Sequence, residues 1–494
     1  MVSDLVSHVG KRCRSIGESN DTDTRKNSTE AESPPRLRRK ITDNNGALQR
    51  PTEQPKIIRS PFQLTKVRDL PNSLNVDSVS LNDILGDPLL SECWDFNYLH
   101  DLDFLVRSFD QDVQHLVKIH VVHGFWKRED PSRLMLEMFI LFRHDETAQI
   151  IIHTANIIEF DWTNMTQGLW RSPLLAKLST NTPETSVSGN YGDGSRFKFD
   201  LVNYLKAYDL KSRKKICEEL IKKLVKYDFS SIRGALIASV PGKHDIDHKS
   251  GTLWGWAALQ EILKTVTVKD VSSKAEIITQ ISSIATLGTT NNWLEKTFFK
   301  ALKTVQDDGE HEVAEPEYKV IFPTVDEIRR SLNGYDSGSA IHTKIHTSAQ
   351  AKQLQYIKPL LCHWAGDGTS RHDSTSKIKN FDAGRKRAAP HIKTYIRFSD
   401  KKKEAIDWML LTSANLSKQA WGESINASGN QRVCSYEIGV LIWPSAFGTC
   451  VKFVPTFQTD EPSTLHCQEN YETIVGIRMP YDLPVISYDH DAEP

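Results

Sequence analysis

Residues 389–398 read APHIKTYIRF, and after a turn holding Lys401, Lys402 and Lys403 residues 406–415 read IDWMLLTSAN. Both runs are apolar, rich in β-branched and aromatic residues and bounded by polar turns, which predicts two adjacent strands. His391 and Lys393 stand two apart in the first run, so an extended backbone carries both side chains on one face. The second run delivers Asn415 at its end, beside LSKQAWG (416–422), and a third predicted strand, SYEIGVLIW (435–443), carries Glu437. An imidazole, an ammonium, an amide and a carboxylate thus converge at strand ends.

These are the groups that phosphodiester transfer needs without a metal. The histidine attacks phosphorus or protonates a leaving oxygen, and lysine and asparagine stabilise charge on the phosphoryl oxygens. Glu437 is expected to orient the His391 ring and fix its tautomer. The spacing alone is weak, because a chain with 17 histidines contains about one His-x-Lys by chance. A second one, His342-Thr343-Lys344, follows a Gly-Ser loop and is assigned to chance. The bland alternative for the first, a surface pair on an edge strand, is weighed against the converging Asn415 and Glu437.

Further toward the N-terminus, LVKIHVVHG (116–124) predicts a buried strand, and MFILF (138–142) and AQIIIHTAN (148–156) flank the turn RHDET as a hairpin. Residues 211–226, with Ile216, Leu220, Leu224 and Val225 at helical spacing, predict an amphipathic helix that closes a first unit. RGALIASVPG (233–242) opens a second unit with a strand, and 252–266 reads as a helix. HTANIIEFDW (153–162) parallels LTSANLSKQAW (411–421), and MFILF corresponds to TYIRF (394–398). A duplicated strand-turn-strand unit carrying Asn suggests two similar domains facing a shared site.

Composition sets the limits. At 494 residues, 39% hydrophobic and 25% charged, the chain is long enough for two or three globular domains. The net charge of −1 means that attraction to nucleic acid must come from local basic surfaces. Seven scattered cysteines, none spaced CxxC, argue against a disulfide framework or a zinc site and for a reducing compartment. No run of about 18 apolar residues occurs, so no membrane span is expected. Residues 1–59 are polar and nearly free of aromatics, and are read as a disordered tail. Within them SPPRLRRK (33–40) is a basic cluster that fits a nuclear-import signal or a phosphate contact as well as a solvated charge run.

From about Ser60 the chain resembles the tyrosyl-DNA phosphodiesterase family of the phospholipase D superfamily. HGFWKRED (123–130), IIHTANIIEFDWTNMTQGLWRSP (151–173), PHIKTYIRF (390–398), LTSANLSKQAWG (411–422), SYEIGVLIWPSAFG (435–448) and MPYDLP (479–484) carry the resemblance in order. Phe398 stands where lipid-acting phospholipases D carry Asp, as in the tyrosyl-DNA branch. The resemblance implies an α/β protein of two phospholipase D-like domains, 60–227 and 228–494, each a mixed sheet sandwiched between helices. It implies removal of tyrosyl and related adducts, such as trapped topoisomerase I peptides, from DNA 3′ ends through a phosphohistidine. It casts His391 as general acid, Lys393 and Asn415 as holders of the phosphoryl oxygens, and Glu437 as support. Asn156 and Gln167 match the first half's asparagine and glutamine, and Ser283 and Thr286 match a segment that contacts DNA phosphates. A nuclear monomer with no metal or cofactor is expected.

One departure stands out. The family's first half carries a His-x-Lys before the strand matching MFILF, and its histidine is the nucleophile; aligning MFILF with TYIRF puts Met135, Leu136 and Glu137 there instead. Methionine is no nucleophile for phosphorus, and a charged glutamate would repel phosphate. Three explanations compete: an incomplete gene model or splice form, which the reading favours; a pseudoenzyme that binds DNA ends or acts as a scaffold; or a substitute nucleophile among His120, His123 and His153. His120 and His123 read more readily as core or structural histidines. A lipid-acting phospholipase D is disfavoured by the missing Asp.

Overall fold

The computed structural model describes residues 55–124, 133, 134, 136–179, 189–212, 215–246, 251–268, 274–306, 314–365, 381–463 and 471–489. The basic cluster at 33–40, the expected tail to residue 54, Met135 and residues 366–380 lie outside them. Ordered structure begins earlier than expected: Lys56–Ile58 forms a strand parallel to Thr473–Arg478.

Two sheets carry the fold, and they repeat one topology. The first contains β1 (Phe62–Leu64), β2 (Leu90–Asn97), β3 (Lys118–His123), β4 (Met138–Arg143), β5 (Thr147–His153) and β6 (Gly168–Arg171) in the spatial order β1-β6-β5-β4-β2-β3. The second contains β7 (Ala235–Ser239), β8 (Glu276–Gln280), β9 (Glu317–Ile321), β10 (Thr394–Phe398), β11 (Ile406–Thr412) and β12 (Ser435–Ile442) in the order β7-β12-β11-β10-β8-β9. The strand senses match as well. The β2–β3 and β8–β9 pairs are parallel and the other neighbours antiparallel. The MFILF and TYIRF correspondence is therefore a correspondence of whole sheets.

Burial on both faces explains why these strands read as continuous apolar runs. Ile140, Ile150 and Ile152 of the first sheet share one core cluster with Ile396, Met409, Leu411 and Val440 of the second. The alternate residues face outward to other layers. Phe139, Leu141 and Ile151 pack with Leu85, Leu105 and Phe109, while Tyr395, Trp408 and Leu410 pack with Leu259 and Ile262 of a helix over Gly255–Leu263. Each such aliphatic side chain contributes roughly 1.5–3 kcal/mol by leaving water. At Gly168 the two halves come so close that a Cβ would lie 2.5 Å from Ile392 Cδ1.

The expected helix over 211–226 is shorter. A long helix, α1 (Gly194–Ser212), precedes it, and the second, α2, occupies only Glu218–Leu224. The Asp209 carboxylate accepts from the Cys217 backbone N–H at 2.8 Å, which ties the start of α2 to the end of α1. Two proposed substitute nucleophiles are placed away from reactive roles. His120 stacks on Trp94 with ring centroids 3.8 Å apart and lies 3.2 Å from Glu92. His153 is fully buried, stacked on Phe139 at 4.8 Å, and burial pushes its pKa down to about 3.

The unfolded chain protonates His153 near its ordinary value while the folded chain cannot, so stability falls as pH drops from about 6.5 toward 3. Denaturant unfolding should show His153 withdrawing about 2 kcal/mol between pH 6.5 and about pH 5, and a His153→Leu variant losing correspondingly less over that interval. Identical pH slopes in the two proteins would contradict this placement.

Candidate functional site

The site forms where each half lays its chain across the other. The backbone N–H groups of His391 and Ile392 both donate to Thr166 O at 3.0 Å, and Thr166 N–H donates back to Ala389 O at 2.9 Å. In the mirrored place the two residues Arg133–Leu134 pair in parallel with Ser435–Tyr436 at the start of β12. Polar side chains repeat the pattern. Thr154 Oγ1 donates to Gln167 Oε1 (2.9 Å) and accepts from Gly168 N–H (3.0 Å), and Ser413 Oγ donates to Glu437 Oε2 (2.7 Å) and accepts from Ile438 N–H (3.0 Å).

That symmetry fixes what His391 touches. Its Nδ1 lies 2.9 Å from Thr154 O, 3.1 Å from Gln167 Nε2 and 3.2 Å from Gln167 Oε1. A carbonyl only accepts, so Nδ1 carries the proton and Nε2 is left as a lone pair, with Lys393 Nζ at 3.2 Å. Burial first, then the Lys393 charge, holds the imidazole well below its ordinary pKa, so the unliganded ring is neutral. The expected partnership between Glu437 and His391 is corrected by this geometry. Glu437 receives hydrogen bonds from Ser413 and Ser435 (2.7 and 2.8 Å), and the side chain beside His391 Nδ1 is Gln167, whose Oε1 accepts at 3.2 Å. Glu437 is the structural mate of Gln167.

Lys393 precedes β10 and is 2% exposed. Burial lowers its pKa, while Glu137, Asp161 and Glu437 oppose that shift. The carboxyl groups feel the same burial: Asp161 is pushed up to about 6, Glu437 up to about 7, and Glu137 well above the ordinary carboxyl range. Lys393 thus faces three carboxyl groups whose own ionisation burial disfavours.

The two asparagines are placed differently. Asn415 Oδ1 accepts from the backbone N–H groups of Ser282 (3.0 Å) and Ser283 (2.9 Å), which leaves its NH2 end available to an acceptor. Asn156 instead donates through Nδ2 to Asp161 Oδ2 at 3.0 Å, and its buried Oδ1 has no partner. Ser283 thus belongs to the site through its backbone. Thr286 is exposed, and its carbonyl accepts from Lys418 N–H at 3.3 Å.

His342, set aside as chance, is brought to this edge. Its N–H donates to Ser282 O at 2.9 Å, its carbonyl accepts from Ile284 N–H at 2.9 Å, and its charge is felt by His391. Sequence reasoning also missed Thr154, Asp161, Thr166 and Ser413. The signal for Thr154 and Ser413 was available in the paired HTAN and TSAN segments, where each hydroxyl residue stands two before the asparagine. Among the described residues no group of three or more His, Cys, Asp or Glu side chains is arranged to hold a metal ion, and no helix is long and apolar enough to cross a membrane.

A doubled α/β frame with one His-Lys-Asn constellation at the junction of its halves defines the phosphodiesterase class of protein. The family model described as tyrosyl-DNA phosphodiesterase matches residues 61–137 and 136–489, so the chain belongs to that family. The two matched segments overlap at Leu136 and Glu137. A probable tyrosyl-DNA phosphodiesterase of Schizosaccharomyces pombe is 31% identical over 88% of this chain and 92% of its own length. Tyrosyl-DNA phosphodiesterase 1 of Arabidopsis thaliana is 27% identical over 92% of this chain and 77% of its own. The crystal structure of the yeast tyrosyl-DNA phosphodiesterase shares the fold, with a TM-score of 0.62, 20% identity and coverage of 87% of this chain and 98% of that one. Family membership assigns a phosphodiesterase of DNA repair.

If the Asn415 NH2 end contacts a phosphoryl oxygen, Asn415→Ala should weaken orthovanadate binding about tenfold, as loss of one hydrogen bond to a charged group does. Thr286→Ala should leave it within about twofold, since that residue is exposed at the edge. Calorimetric titration measures both, and equal losses would refute the placement.

Proposed function

We propose that this chain acts in the nucleus on DNA 3′ ends that carry a tyrosyl or related peptide adduct, including trapped topoisomerase I peptides. The observation that carries the reading is the His391 ring held through Nδ1 by Thr154 O and Gln167, with Nε2 presented beside the buried Lys393. An incoming phosphodiester brings negative charge next to the imidazole, which raises its pKa and loads Nε2 with a proton. Nε2–H then donates to the tyrosyl oxygen as the phosphorus–oxygen bond breaks, while Lys393 and Asn415 hold the non-bridging oxygens. The family resemblance implies a histidine from the first half as the attacking group. With Met135 at that position, water attacks phosphorus in its place as the tyrosyl oxygen leaves with the His391 proton; one proton of the water stays on the phosphate product or passes to the neutral His391, and no phosphohistidine forms there. Ser283 and Thr286 would contact the phosphates of the DNA strand, as the family resemblance implies.

A second reading, a non-catalytic DNA-end binder, draws support from Met135 and Glu137 standing where His and Lys are expected. Removing a nucleophile typically leaves only positioning and electrostatic help.

Incubating the chain with an oligonucleotide bearing a 3′-phosphotyrosine, without divalent metal, separates the two. The catalytic reading expects tyrosine release that His391→Ala abolishes, at a rate about a thousandfold or more below that of a relative with both histidines. Salt-sensitive binding with no release supports the end binder. Neither binding nor release would contradict both.

A further inference from the structure

Glu137 is the residue of the site that neither the chemistry above nor the family pattern uses. Backbone register places it as the structural mate of Lys393: His153 N–H donates to Glu137 O at 3.0 Å, as Thr412 N–H donates to Lys393 O at 3.2 Å. The strands that follow keep the same step, with Met138 opposite Ile152 and Thr394 opposite Leu411. The Glu137 side chain is 4% exposed, and its Oε2 is buried with no hydrogen-bond partner. Such an orphan is costly unless a ligand satisfies it.

We propose that Glu137 takes part in phosphate recognition as a neutral carboxylic acid, its O–H donating to a non-bridging oxygen of the phosphoryl group held by Lys393. The inference rests on the phosphodiester reading above and narrows it.

The electrostatics are consistent with a retained proton. The charged and titratable groups that act on Glu137 are Lys393, Glu437 and Asp161, and Glu137 is felt in turn by Tyr204. Burial raises the carboxyl pKa well above its ordinary value, Lys393 lowers it, and the two neighbouring acids raise it again. The expectation that glutamate must repel phosphate holds only for the ionised form, and burial disfavours that form. A buried carboxyl kept neutral is a hydrogen-bond donor.

The test is fluorescence anisotropy of a 3′-phosphotyrosyl oligonucleotide with the full chain, Glu137→Gln and Glu137→Ala, from about pH 6 to about pH 9, with Lys393→Ala as background. Glutamine keeps a donor that cannot ionise, so Glu137→Gln should match the native protein within about threefold at about pH 6, and any weakening of the native protein as Glu137 ionises at higher pH should be absent from Glu137→Gln. Glu137→Ala should lose about tenfold at about pH 6. Comparing Glu137→Gln with the native chain cancels titration of Asp161, Glu437 and His391, which both proteins share. A loss by Glu137→Gln at about pH 6 as large as that of Glu137→Ala, or undiminished binding by Glu137→Ala, would overturn the proposal while leaving the phosphodiester reading intact. Native binding no stronger than the Lys393→Ala background would overturn both.

Discussion

Everything at the site depends on a backbone exchange between the two halves. Thr166 O takes the N–H groups of both His391 and Ile392, and Thr166 N–H reaches Ala389 O, so the residues that carry the chemistry of the second half are held by the first. Gly168 makes the approach possible, because any side chain there would meet Ile392 at the same crossing. From this constraint the rest follows in order. Thr154 O accepts from the His391 ring at Nδ1, Gln167 flanks it, and the ring nitrogen left free is decided by a carbonyl that belongs to the other half. Preorganisation of this kind costs nothing at the moment of reaction.

The same closeness creates the electrostatic character of the site. Bringing two sheets together removes water from Lys393, Glu137, Asp161 and Glu437 at once, and desolvation dominates the shift of each. A lysine alone among acids would be a poor phosphate site if all of the acids were ionised. Burial raises the carboxyl pKa values and so weakens that opposition, while it also lowers the lysine's own. The asymmetry between Asn415, whose carbonyl is occupied by backbone amides, and Asn156, whose amide is turned to Asp161, belongs to the same picture. The second half keeps its anion-facing donors, and the first half has turned inward.

Much of this was legible in the sequence. The strands around APHIKTYIRF and IDWMLLTSAN, the hairpin at 138–156 and the internal duplication could be read because strands buried on both faces leave long β-branched runs, and the copied TAN and SAN segments mark their ends. The pairing of catalytic groups across halves was not legible. Glu437 and His391 are neighbours within the second half's own predicted strands, so proximity in that half suggested a contact, whereas the pseudo-symmetry exchanges partners and gives His391 to Gln167. His342 was passed over because its His-x-Lys lies in a loop, and only the bridge to Ser283 brings it near. The helix expected at 211–226 failed at its start because its apolar spacing runs through the junction between two helices, where Asp209 and Cys217 meet.

The central claim is that the first half fixes the proton of the second half's histidine, and histidine-selective nitrogen-15 NMR tests it most directly, with the His391 signals identified by their loss in His391→Asn. The account predicts the Nδ1–H tautomer at neutral pH, protonating only well below the ordinary imidazole value, and persistence of that tautomer in Gln167→Ala, where the Thr154 carbonyl remains. An Nε2–H tautomer, or a His391 that titrates as a solvent histidine does, would contradict it.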